Sequence, residues 1–241
     1  MQNPTNNTAN IEWQDGQPYA CDFQDVYFST DNGLLETDYV FLQGNDLAKR
    51  WNDSKIQSFR IAETGFGTGL NFLCAANAWL TATSNQATLH FISVEKYPLT
   101  LTDMTIASNF WPQLKAVSEP LLAQYESLIS NTETISLYDN RIQLSLLIGD
   151  ATMNLSRVTC QFDAWFLDGF APSKNPDMWK SELFQDMARL SNSSTTFATF
   201  TSAGDVRRGL KNAGFEVNKR TGYGKKREML IGRFIGNTHE A

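Results

Sequence analysis

The sequence predicts an α/β protein built on a mostly parallel sheet, with a small β appendage on its N-terminal side. Three observations predict it. Residues 58–62 read as a strand, Glu63-Thr64-Gly65-Phe66-Gly67-Thr68-Gly69-Leu70-Asn71 as a glycine turn, and 72–80 as a buried helix. Strand, glycine turn and helix in that order open a nucleotide-binding sheet. Beyond them, apolar strand-like runs alternate with helical stretches, as in parallel sheets buried on both faces. The length of 241 residues, 41% of them hydrophobic, suits one α/β domain with a core of its own and a small appendage.

The elements follow in order. Residues 1–10 are polar and carry neither the basic start nor the apolar stretch of a signal peptide. Residues 25–29 and 36–42 read as two strands of a hairpin with Asp31-Asn32-Gly33 as its turn, and 45–51 as the start of a helix. Residues 1–57 are thus expected to form a tail and a β-hairpin appendage packed on the main domain, and 58–241 the main domain. In the main domain, 88–94 is an apolar strand ending in Glu95-Lys96, followed by helical stretches near 99–109 and 118–130. Residues 141–148 form a strand ending in Gly149-Asp150, and 162–167 one ending in Asp168-Gly169. A helix near 179–190, a strand at 195–200 and a helix at 203–212 come next. Residues 215–220 and 227–234 are two consecutive strands closing the chain.

Composition narrows the function. Cys21, Cys74 and Cys160 are widely spaced, and His90 and His239 are the only histidines. That argues against a disulfide framework and a zinc site, predicts no metal, and fits a cytosolic location. No apolar run is long enough to span a membrane. The net charge of −6 is unevenly spread: the last 41 residues carry +5 and the first 200 carry −11. Arg207, Arg208, Lys211, Lys225, Lys226 and Arg227 lie in that basic end. It is either an anion-binding face or a solvated helix and hairpin.

The glycine spacing selects a ligand. A dinucleotide fingerprint requires glycine at the first, third and sixth positions, here Gly65, Gly67 and Leu70, so the third is missing. Glu63-x-Gly65-x-Gly67-x-Gly69 instead resembles the S-adenosylmethionine loop of class I methyltransferases. That ligand has no pyrophosphate, and its cationic sulfonium and zwitterionic end suit an acid at the strand end. Ligands of open α/β sheets bind beyond the carboxyl ends of the strands, where Glu63, Glu95, Asp150 and Asp168 all fall. Glu95 is expected to accept the ribose hydroxyls, Asp150 the adenine amino group, and Glu63 to lie near the methionine end. Asp168-Gly169-Phe170-Ala171-Pro172 resembles the Asp-Pro-Pro-Tyr type motif of amino-methyltransferases. In such a motif the carboxylate holds an amine and the aromatic ring lies against the substrate base.

The resemblance extends along the chain. It takes in Tyr27-Phe28-Ser29, Gly33-Leu34-Leu35-Glu36-Thr37, the glycine turn, Glu95-Lys96-Tyr97-Pro98-Leu99 and residues 165–172. It continues through Lys174-Asn175-Pro176-Asp177-Met178-Trp179, Ala198-Thr199-Phe200-Thr201, Val206-Arg207-Arg208-Gly209-Leu210 and residues 224–230. Over about residues 12–234 the sequence is similar to the methyltransferase half of the bifunctional tRNA 5-methylaminomethyl-2-thiouridine biosynthesis family, MnmC. The resemblance implies a Rossmann-like class I fold whose mostly parallel seven-stranded sheet has an antiparallel last strand. It implies methyl transfer from S-adenosylmethionine to 5-aminomethyl-2-thiouridine at the tRNA wobble position. Gly65, Phe66, Gly67, Gly69, Asn71, Glu63, Glu95, Lys96, Asp150 and Asp168 are then expected at the cofactor, with Asp168 and Phe170 at the substrate. Lys174 joins the six basic residues above as the expected tRNA face.

The family's second half is an FAD-dependent oxidase. No second glycine fingerprint occurs before Ala241, so no FAD and no oxidative step are expected in this polypeptide, the oxidase domain being separate or missing. Two other activities share parts of the pattern. An aminopropyltransferase of the spermidine-synthase type shares the sheet and an acidic amine site and differs in product. A tRNA-binding module without a working cofactor pocket differs in not binding S-adenosylmethionine. A nicotinamide dehydrogenase is disfavoured by Leu70.

Overall fold

Short antiparallel strands open the chain: β1 (Ile11–Gln14), β2 (Gln17–Ala20) and β3 (Asp25–Val26) form a three-stranded sheet, with Ile11 opposite Ala20 and Tyr19 opposite Val26. The computed structural model describes residues 8–14, 16–28, 32–53, 55–83, 86–131 and 134–236. The expected hairpin around Asn32-Gly33 does not form. Gly33–Thr37 is helix α1, which runs on into a π-helical turn over Asp38–Leu42. Ser29 and Asp31, part of that expectation, lie outside the described residues. The reason is local chemistry and burial. The Asn32 side chain accepts the Leu35 N–H at 3.2 Å and so caps a helix. The buried positions Gly33, Thr37, Val40 and Phe41 follow a helical period, not a strand's alternation. Helix α2 (Leu47–Trp51) follows.

The main sheet is built from β4 (Ser58–Thr64), α3 (Leu70–Ala82), β5 (Thr88–Glu95), α4 (Leu101–Ser108), α5 (Lys115–Leu122), α6 (Tyr125–Asn131), β6 (Thr134–Leu137) and β7 (Ile142–Ile148). It continues with α7 (Ala151–Leu155), β8 (Phe162–Leu167), α8 (Ser181–Arg189), β9 (Ser191–Thr199), α9 (Gly204–Asn212), β10 (Phe215–Thr221) and β11 (Glu228–Phe234). The strand order is β10-β11-β9-β8-β4-β5-β7-β6. β7, β5, β4, β8 and β9 pair in parallel, and β11 lies antiparallel between β9 and β10. The antiparallel last strand is as expected. The sheet has eight strands instead of seven, because β6 adds an antiparallel edge on β7. Only Ile135 and Leu137 of β6 are buried, which is too short a pattern to read beside the helix before it.

Strand β8 shows why these runs are apolar throughout. Trp165 and Leu167 face the core beneath α8 and α9, while Ala164 and Phe166 face the core beneath α3. Val40, Phe41, Leu47 and Trp51 join the α3 core, so residues 33–51 are packed onto the main sheet and do not stand apart from it. From β4 the sheet grows through β5 and β7 on one side, then returns through β8 on the other. The crevice at this reversal lies beyond the carboxyl ends of β4 and β8, where open α/β sheets bind ligands.

Candidate active site

The loop after β4 turns on glycines with left-handed backbone: φ is +85° at Gly65, +54° at Gly67 and +72° at Gly69. Side chains rarely tolerate that region. A Cβ on Gly65 would also lie 3.2 Å from the Gly169 Cα, so the loops after β4 and β8 meet backbone to backbone at the reversal point. The Gly67 N–H donates to Glu95 Oε2 at 3.0 Å, and the Tyr97 N–H to Oε1 at 2.9 Å. Burial pushes the Glu95 carboxyl up, against the pull of those amides.

A cavity of about 740 Å³ opens over this crevice. Gly65, Phe66, Gly67, Asn71, Glu95, Lys96, Asp150, Asp168 and Phe170, all expected at a ligand, line it. Gly69 does not line it. It caps α3, and a Cβ there would press to 3.0 Å on the Phe66 ring. Asp150 also accepts the Met153 N–H at 3.1 Å as the cap of α7.

Glu63 departs from expectation. It is 1% exposed and lies under the loop, outside the cavity lining. Its oxygens accept from Asn71 Nδ2 at 2.9 Å and Ser93 Oγ at 2.7 Å. Burial pushes its carboxyl well above the usual range, which favours the neutral acid. Glu63 therefore reaches the cavity through Asn71. The Asn71 amide also donates to Asp168 Oδ2 at 2.6 Å, and its carbonyl accepts from Thr37 Oγ1 at 2.9 Å.

Asp168 is thus held on both oxygens, with Oδ1 accepting the Gly169 N–H at 2.8 Å. The Thr64 hydroxyl donates to its backbone carbonyl at 2.7 Å. Burial raises the Asp168 carboxyl to about 6, against the pull of the Gly169 N–H, Asn71 and Lys226. Phe170 stacks on Phe23 with ring centres 4.5 Å apart and meets Tyr27 edge-on at 5.3 Å.

Phe23, Tyr27, Glu36 and Thr37 also line the cavity, and nothing in their own sequence context marks them for it. Tyr27, Glu36 and Thr37 fall within stretches that carry the family resemblance, but the hairpin reading hid their direction. The helical burial period from Gly33 to Phe41 is the signal that turns Glu36 and Thr37 toward the cavity.

The basic residues divide. Lys226, in the turn between β10 and β11, lines the cavity and pairs with Glu36 at 2.7 Å. Lys225 and Arg227 flank it and are exposed. Lys174 pairs with Asp25 at 3.4 Å, joining the loop after β8 to the N-terminal sheet. Arg207 and Arg208 lie early in α9, near the same sheet edge, and Arg208 pairs with Asp205. Lys211 falls at the end of α9, which runs back to the start of β10 at the opposite edge, so it is not gathered with the others. Among the described residues, no group of His, Cys, Asp and Glu is placed to hold a metal ion, and no helix is long and apolar enough to cross a membrane.

The donor set fits an adenosyl sulfonium ligand: a glycine cradle closed to side chains, and acids at the ends of β5, β7 and β8. Comparison with known proteins agrees. A family model described as S-adenosyl-L-methionine-dependent methyltransferase matches residues 112–234. The chain is 50% identical over 241 residues to the tRNA 5-methylaminomethyl-2-thiouridine biosynthesis bifunctional protein MnmC of Methylobacillus flagellatus, covering 100% of the chain and 37% of that protein. It is 52% identical over 229 residues to the protein of the same name from Chromobacterium violaceum, covering 95% of the chain and 35% of that protein. It thus spans little more than a third of these relatives' length. The crystal structure of MNMC2 from Aquifex aeolicus shares the fold, with a TM-score of 0.76 at 21% identity, covering 98% of this chain and 73% of that one.

Proposed function

We propose that this chain, which belongs to the S-adenosyl-L-methionine-dependent methyltransferase family, methylates the primary amine of 5-aminomethyl-2-thiouridine at the wobble position of tRNA. The product is 5-methylaminomethyl-2-thiouridine. The observation that carries this reading is Asp168, a carboxylate pinned on both oxygens in the wall of the cavity that the glycine loop and Glu95 also line.

When bound, S-adenosylmethionine supplies an electrophilic methyl group. Glu95 would accept the ribose hydroxyls and Asp150 the adenine amino group. Gly65 and Gly67 would let the backbone come close, while Asn71, braced by Glu63 and Thr37, fixes Asp168. Asp168 would orient the substrate amine and favour the positive charge that grows on nitrogen. With its carboxyl raised to about 6, it is also a better proton acceptor at neutral pH than an ordinary aspartate. Phe170, held by Phe23 and Tyr27, would lie against the base. Lys225, Lys226 and Arg227, at the cavity's edge, would meet tRNA phosphates. An oxidative step, assigned to an FAD-dependent domain separate from this chain, would supply the amine. A tRNA substrate and three free cysteines support a cytosolic site of action.

The test is single-turnover methylation with saturating cofactor and tRNA. Asp168→Ala should slow transfer about a hundredfold or more, the scale for losing a preorganised electrostatic partner, while cofactor and tRNA affinity change far less. A rate within a few-fold of wild type would remove Asp168 from the mechanism.

A further inference from the structure

A strip of rings and cations leads outward from the cavity, and methyl transfer itself does not use it. Lys226 and Phe200 both line the cavity, with the Lys226 ammonium 4.4 Å from the ring centre. The Lys226 N–H donates to the Tyr223 carbonyl at 3.0 Å, and the Tyr223 and Tyr39 ring centres lie 6.0 Å apart. The Arg220 guanidinium stands 4.1 Å over the Tyr39 ring. Ring and cation are held in place, since Tyr39 Oη donates to the Thr221 carbonyl at 2.9 Å and Arg220 to Gln43 Oε1 at 3.2 Å. All three rings are half-buried, and among the described residues no acid lies within ion-pair distance of Arg220.

From this strip we infer that Tyr39, Tyr223 and Arg220 form a stacking platform for the unpaired nucleotides beside the target base in the anticodon loop. The inference rests on the tRNA reading above and adds where the loop lies. A base that enters a cavity leaves its stack, and its neighbours lose a partner face. Aromatic rings beside the mouth replace that face for any base, and a guanidinium on the same strip adds a planar cation. Rings and cations gathered in one strip suit single-stranded RNA, because each nucleotide presents one flat base and one phosphate.

The experiment measures binding of a synthetic anticodon stem-loop and of S-adenosylmethionine to the full chain, together with methylation of tRNA. Tyr39→Leu and Tyr223→Leu keep apolar bulk but remove the flat face. Each should weaken stem-loop binding roughly tenfold, the scale of one stacked base, and leave S-adenosylmethionine affinity unchanged. Tyr39→Phe, which keeps the ring, should bind the stem-loop like wild type. Arg220→Gln should weaken binding and lower its salt dependence. Tyr223 sits in a surface turn, so its variant tests the platform even if Tyr39→Leu loses stability. Stem-loop affinity unchanged in Tyr223→Leu, or lost equally in Tyr39→Phe and Tyr39→Leu, would overturn the platform. Failure of wild type to methylate any tRNA would instead overturn the functional reading on which it stands.

Discussion

At the scale of single residues, the proposed chemistry rests on carboxylates made unequal by their surroundings. Glu63 is sealed below the loop and favours its neutral form, Glu95 is held by backbone N–H groups, and Asp168 is raised to about 6 at the cavity wall. If ionised Asp168 holds the amine, methyl transfer should rise with pH through about 6, and Asp168→Asn should abolish that acid limb. A wild-type profile flat between pH 5 and 7 would count against this role. The same shift sets a stability slope. Between the ordinary value of 3.8 and about 6, the folded chain holds a proton that the unfolded chain has released. Folding stability from this group therefore falls as pH rises across that window, and Asp168→Asn should flatten the fall in denaturant titrations. For Glu95, loss of hydrogen bonds from a charged acceptor costs roughly 1.5–3 kcal/mol. Calorimetry on Glu95→Ala should thus show S-adenosylmethionine affinity reduced about tenfold or more, and an unchanged dissociation constant would place the ribose acceptor elsewhere. Glu95 and Asp168 were legible in the sequence because each ends an apolar strand. Thr37 and Glu36 were not, because Asn32-Gly33 is as good a hairpin turn as a helix start until burial decides between them.

At the scale of elements, the glycine loop is the unit on which the site depends. Gly67 has φ of +54°, and a Cβ there would meet the Tyr27 ring at 3.1 Å. Gly67→Val should therefore block S-adenosylmethionine binding while leaving the fold cooperative, since α3 and β4 are packed elsewhere by Phe72, Trp79 and Ile61. Normal affinity in the folded variant would show that the loop tolerates a side chain at the ligand. This loop was readable because its signal is contained in nine consecutive residues. The sheet was readable for a related reason: strands such as β8 are buried on both faces and so are apolar without interruption. What escaped was either short or distant. Strand β6 buries only two side chains, and Phe23 and Tyr27 meet Phe170 across more than a hundred residues of chain.

At the scale of the whole molecule, the N-terminal strands close one side of a cavity that the main sheet opens. Trp13 donates to Asp103 of α4 at 3.0 Å, the Ala9 N–H donates to the Pro98 carbonyl at 3.0 Å, and Asp25 accepts the Ala171 N–H at 3.3 Å. The appendage thus ties the loop after β5 to the loop after β8. Charge is arranged on the same plan, with the turn between β10 and β11 beside the cavity and Lys211 far from it. The sequence counted these cations alike, and only the strand order separates them. Lys225→Glu combined with Arg227→Glu should weaken tRNA binding and reduce the salt slope by about two, whereas Lys211→Glu should change neither. Equal losses in both variants would put the tRNA on a broader surface than the cavity edge. The most direct test is chemical. Bulk tRNA that carries 5-aminomethyl-2-thiouridine is incubated with the chain and S-adenosylmethionine, then digested to nucleosides and analysed by mass spectrometry. Methyl transfer to the amine predicts that this nucleoside disappears as 5-methylaminomethyl-2-thiouridine appears in equal amount. An unchanged nucleoside pool with a chain that binds S-adenosylmethionine normally would contradict it.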